Sequence, residues 1–70
     1  MAVAWSQLEQ YVRGAHEQQG RVERADVIDL AYDDNVGDDV IDVIDAIGSR
    51  VFNTPDDVKA FLFTQGLVAE

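Results

Sequence analysis

"YDDNVGDDVIDVIDAIG", residues 32–48, decides the fold. It holds six aspartates and no basic residue, with Val40, Ile41, Val43, Ile44 and Ile47 crowded into its second half. Three readings compete: a metal-binding loop, the corner of a DNA-reading helix pair, or two helices meeting at a turn. A calcium loop of the EF-hand type needs ligands at its first, third and fifth positions, Gly at the sixth and Glu at the twelfth. Counting from Asp33 puts Gly37 fifth, Asp38 sixth and Ile44 twelfth, while counting from Asp34 puts Val36 third. Neither register fits, so no metal site is expected.

Helical spacing explains the stretch better. Val40, Val43, Ile44 and Ile47 fall at 0, +3, +4 and +7, with Ile41 at the edge of that stripe. Asp38, Asp42 and Asp45 fall at 0, +4 and +7 on another face. The Val/Ile content suits a strand, but strict alternation is absent, so the period predicts a helix over about 38–48. Asp38 and Asp39 sit in its first turn, where negative charge meets the positive end of the helix dipole. Gly48 ends it.

Upstream, Val27, Ile28, Leu30 and Ala31, with Tyr32 near the end, predict a helix over about 23–34. Asn35 tolerates a left-handed backbone and closes it. Asn35-Val36-Gly37 is then the turn, which gives a helix-turn-helix-like corner. A recognition helix must approach phosphates through Lys and Arg. No base occurs from Ala25 to Ser49, so direct nucleic-acid binding through this face is rejected. The converse stays open, an acidic face that imitates DNA in a basic protein groove.

At the N-terminal side, Leu8, Tyr11, Val12 and Ala15 repeat at 0, +3, +4 and +7, and Trp5 extends the stripe one turn earlier. Ser6-x-x-Glu9 has capping-box form, Glu9 and Arg13 make an i, i+4 pair, and Gly20 is a natural stop. A helix over about 4–18 is expected, in which Gly14 costs about 1 kcal/mol relative to Ala. Downstream, Thr54 as N-cap, Pro55 behind it and Asp56-Asp57 in the first turn open a helix over about 55–65. Val58, Phe61 and Leu62 form its core face, Gly66 suits the position just past its end, and Leu67 then packs back on Leu62. Together the segments make one small all-α domain of four short helices. Its expected core is Leu8, Val12, Ile28, Ala31, Val40, Val43, Ile44, Ile47, Phe52, Val58, Phe61 and Leu62.

The second half also carries a recognisable pattern: Ala31, Asn35, Asp38-Asp39-Val40, then Arg50, Phe52, Thr54, Pro55, Asp57 and Val58. Over about 26–62 the chain resembles the prokaryotic domain-of-unknown-function family numbered 2795. It departs from that family's pattern at Arg21 and Glu23, where a Pro and a capping Ser are usual, and at Gly48, where Pro is frequent. The resemblance implies a fold and assigns no activity.

Composition narrows the function classes. Seventy residues, 47% of them hydrophobic, make one domain with a small core. There is no cysteine, so neither a disulfide nor a thiolate metal site supports it. No apolar run is long enough to span a bilayer, and "MAVAWSQLEQ" lacks the basic residues and apolar stretch of a signal peptide. A cytoplasmic location and no membrane association are the expectation. Fourteen acids against five bases give a net charge of −9, which repels phosphate and anionic lipid. Adaptation to high salt and an acidic face for a basic partner both explain that bias.

Catalysis finds little support. His16 is the only histidine, and no phosphate loop or nucleophile elbow occurs. His16 reads as a surface residue facing the end of its helix, and exposed pairs such as Asp38/Asp42 lack anything to raise one pKa. No catalytic residue and no cofactor are expected. Arg50 reads as the cation at the end of the third helix, paired with Asp57 or Asp56. The last helix gives the best hint of a partner. Ala60 and Phe63 add apolar surface beside its core face, and Phe63 with Leu67 or Val68 forms a homodimer seam or docking patch, unless the first helix covers both sides. The leading expectation is therefore a non-catalytic protein-interaction or accessory module, with contacts at Phe63, Leu67 and Val68 or at Asp38, Asp42 and Asp45. The alternative is an acidic DNA mimic or regulator.

Overall fold

The chain before the first long helix does not begin as a helix. In the computed structural model, which describes residues 2–69, β1 (Val3–Ala4) is followed by a 3-10 turn at Trp5–Gln7, and α1 runs only over Glu9–Gln19. The main-chain N–H of Ala4 donates to Gln7 Oε1 at 2.9 Å, so the turn is closed by Gln7 rather than by the Ser6/Glu9 box. Leu8, at φ −126° and ψ −7°, breaks the helical path between turn and helix. The expected helix over 4–18 thus starts five residues late. Its apolar stripe is real: Trp5, Leu8, Tyr11, Val12 and Ala15 are all buried.

The remaining helices follow their sequence signals closely. α2 spans Arg24–Asp33, α3 Asp38–Asp45 and α4 Pro55–Thr64. α2 and α4 end in the same device. Asn35 and Gly66 take left-handed φ values of 56° and 73°. Behind them Val36 donates to the Ala31 carbonyl at 3.4 Å and Leu67 to that of Leu62 at 3.0 Å. These are six-residue closures of the Schellman type, which satisfy carbonyls that a helix end otherwise leaves bare. Thr54 Oγ1 accepts from the Asp57 N–H at 3.2 Å, so the sequence-assigned cap of α4 is in place. α3 is shorter than expected. Its last residues unwind into a turn through Gly48, where φ is 62°.

The fold is mostly helical but not all-α. β1 pairs in parallel with β4 (Val68–Ala69), Val3 opposite Val68 and Ala4 opposite Ala69. β2 (Val22–Glu23) pairs antiparallel with β3 (Val51–Phe52), Val22 opposite Phe52. The cause is the cost of dry backbone. Val3, Val22 and Val68 anchor the segments between helices in the core, and main-chain groups carried in with them need partners. Two segments at a time supply those partners to each other.

Leu8, Val12, Ile44, Ile47, Val58 and Leu62 are fully buried, with Ala31, Val40 and Val43 beside them. Ile28, Phe52 and Phe61, expected in the core, lie at its margin and are only partly buried. Phe52 and Phe61 face each other with ring centroids 5.5 Å apart. Gly14 has a packing role: a Cβ there would stand 3.0 Å from Leu30 Cδ1, so the helix interior gives up propensity to let α1 close on α2. Tyr11 ties the same pair of helices, its hydroxyl donating to Asp34 Oδ2 at 3.0 Å.

Candidate functional site

α3 divides its side chains as the spacing predicts. Val40, Ile41, Val43, Ile44 and, just past its end, Ile47 are buried, while Asp38, Asp39, Asp42 and Asp45 are exposed. The four carboxylates differ in their neighbours. Asp45 is held by Arg24 of α2 at 3.1 Å, with both side chains about half exposed. Asp38 stands at the start of the helix and does not line the concavity described next. Asp42 lines a half-open cleft of about 360 Å³ between α3 and the β1–β4 pair, together with Asp39, Ala2, Val3, Val43 and Leu67. Asp39 Oδ1 also accepts from the Val40 N–H of its own helix at 3.0 Å.

The α4 contacts fare differently from one another. Phe63 is 37% exposed, turned off the Val58–Leu62 stripe, with Lys59 Nζ 5.7 Å from its ring centroid. Leu67 is half-buried and lines the cleft. Val68, expected on the same outward patch, is only 4% exposed, because it is paired with Val3 in the strand ladder. It is core and not contact surface. Of the six contact residues read from the sequence, Asp42 and Leu67 are therefore brought together; Phe63, Asp38 and Asp45 lie outside that cleft.

Ala2 and Val3 carry no sequence signal, while Asp39 is legible as a first-turn acid and Val43 as a core residue, neither as part of a cleft. Asp39 and Asp42 carry the one usable signal, an i, i+3 spacing that puts both on one side of α3. No spacing rule connects residue 3 with residue 67. Two further large apolar side chains are left outside, Tyr32 at 61% and Val51 at 53% exposure.

Arg50 corrects an expected ion pair. Its guanidinium donates to the Ile47 carbonyl at 3.4 Å and lies 4.6 Å from the centre of the Phe61 ring. It compensates the end of α3 and stacks on an aromatic face, and among the described residues it bridges to neither Asp56 nor Asp57. The Tyr11 phenol is pushed above its usual value of 10.0, first by burial and then by the hydrogen bond and charge of Asp34. Among the described residues no three His, Cys, Asp or Glu side chains are grouped to hold a metal ion. No described helix is long and apolar enough to cross a membrane.

No protein-family model matches the chain, and no curated protein or solved structure does either.

Proposed function

We propose that the protein is a non-catalytic protein-interaction or accessory module of the cytoplasm that works without a cofactor. The observation that carries this reading is Phe63, a large ring left on the surface of a domain small enough to need all its apolar area inside. Aromatic anchors of this kind are enriched where partners dock. Its partner is another protein or a second copy of the chain. Membership of the family numbered 2795 belongs to the same proposal and adds a fold to it, not an activity.

Light scattering of the purified protein, and affinity purification from the native organism with wild type and Phe63→Ser, test this. Loss of self-association or of a retained partner in the variant supports it. A monomer whose retained partners are all unchanged by Phe63→Ser ends it.

The acidic alternative draws on a separate observation. Asp38, Asp39 and Asp42 are all exposed on a helix that contains no base, as a surface imitating a phosphate run requires. Such binding weakens steeply with salt and with Asp38, Asp42 and Asp45 changed to Asn. Retention unaffected between low and physiological salt excludes it.

A further inference from the structure

The cleft between α3 and the β1–β4 pair combines two demands that few ligands meet together. Val3, Val43 and Leu67 make part of its lining aliphatic, and two carboxylates, Asp39 and Asp42, stand beside them. At about 360 Å³ it lies at the small end of ligand sites, enough for one or two side chains rather than a large cofactor. An anion is repelled by these carboxylates and by a chain of net charge −9. A purely apolar occupant would strip water from the Asp42 carboxylate and from the Asp39 oxygen that the Val40 N–H does not reach, which is costly. A side chain with an aliphatic stem and a cationic head satisfies both kinds of lining residue at once.

We infer that this cleft receives a short aliphatic segment of a protein partner bearing an arginine or lysine. Its apolar part rests on Val3, Val43 and Leu67, and its cation meets Asp39 and Asp42. This deepens the interaction-module reading and rests on it, but it concerns a surface separate from Phe63.

The test is a titration of the full 15N-labelled chain, followed by amide chemical shifts. The probe is the acetylated and amidated pentapeptide Ala-Leu-Arg-Leu-Ala. Its controls replace Arg by Glu, replace both Leu by Ala, or use spermidine alone. The Leu-Arg-Leu peptide moves the amides of Val3, Asp39, Asp42, Val43 and Leu67 in a saturable way, and the Glu peptide does not. Asp42→Asn weakens that binding about fivefold, the scale of one partly exposed charge contact, while Asp38→Asn on the same helix but outside the cleft changes it less than about twofold.

Shifts spread over all the aspartates, equal shifts with spermidine or with the Ala-Arg-Ala peptide, or equal weakening by Asp38→Asn overturn the inference in favour of diffuse charge attraction. Absence of shifts overturns it outright. If Phe63→Ser releases a partner while the pentapeptide leaves the cleft amides still, the module reading stands and the cleft assignment alone falls.

Discussion

α3 and α4 are near neighbours in length, and each opens with two aspartates, Asp38-Asp39 and Asp56-Asp57. They treat their apolar residues differently. α3 buries Val40, Ile41, Val43 and Ile44 and shows only carboxylates to water, so its amphipathic division is complete. α4 buries Val58 and Leu62, leaves Phe61 at the margin and leaves Phe63 outside. A helix whose apolar set is wider than the groove it fills has surface left over for something else. The lesson is that the width of an apolar stripe, measured against what covers it, separates a helix spent on stability from one with capacity to spare.

That contrast is broken most directly by trimming one residue on each helix. Ile44→Ala, at a fully buried position of α3, should lower unfolding free energy by about 2–5 kcal/mol through lost burial and the cavity left behind. Phe63→Ala on the outer side of α4 should lower it by about 0.5 kcal/mol or less, as exposed positions do. Urea unfolding of the two variants measures both. Comparable losses would mean that Phe63 is held by the fold and that α4 has no surface to spare.

The starts of the two helices differ as well. α4 has a side-chain cap in Thr54, whereas α3 begins at Gly37 without one. Thr54→Ala should cost about 1 kcal/mol, and hydrogen exchange should speed up in the first turn of α4 while α3 is unchanged. Equal acceleration in both helices would show that they unfold as one unit, which would blunt the comparison.

The smallest effect concerns the corner from which α3 departs. The Tyr11–Asp34 hydrogen bond pins the residue just before left-handed Asn35. Because the folded state holds the phenol proton more tightly than the unfolded chain, its stabilising contribution is complete below about pH 10 and is lost as pH rises through the raised folded-state value. Wild-type stability should therefore fall more steeply above about pH 10 than that of Tyr11→Phe. Parallel pH profiles would mean that Tyr11 does not favour its protonated form in the fold.

Legibility in the sequence followed the length of the pattern. α4 was readable because the Thr54-Pro55 start and Gly66 stop agreed with its period; α3 was readable from its unbroken aliphatic stripe, although it ends at Asp45, three residues short of Gly48. Asn35 was assigned its backbone from residue chemistry alone. The N-terminal segment misled because Trp5 continues a helical stripe although the chain there is strand and 3-10 turn; burial of Trp5 is compatible with either. Two-residue strands carry no period at all, so nothing marks Val3 and Val22 as core, and Val68 reads as part of an outward patch. The cleft was half legible. Asp42 and Leu67 were marked for other reasons, but their meeting depends on the β1–β4 ladder, a contact between residues far apart in sequence.

That ladder also sets how the domain meets mechanical load. β1 and β4 lie side by side in parallel near the two ends of the described chain. A pull that draws those ends apart slides one strand along the other, so their hydrogen bonds are strained together, in shear, instead of opening in succession as in an unzipped hairpin. Under tension the load falls on the Val3–Val68 and Ala4–Ala69 pairs together, with the buried Val3 and Val68 as the rivets.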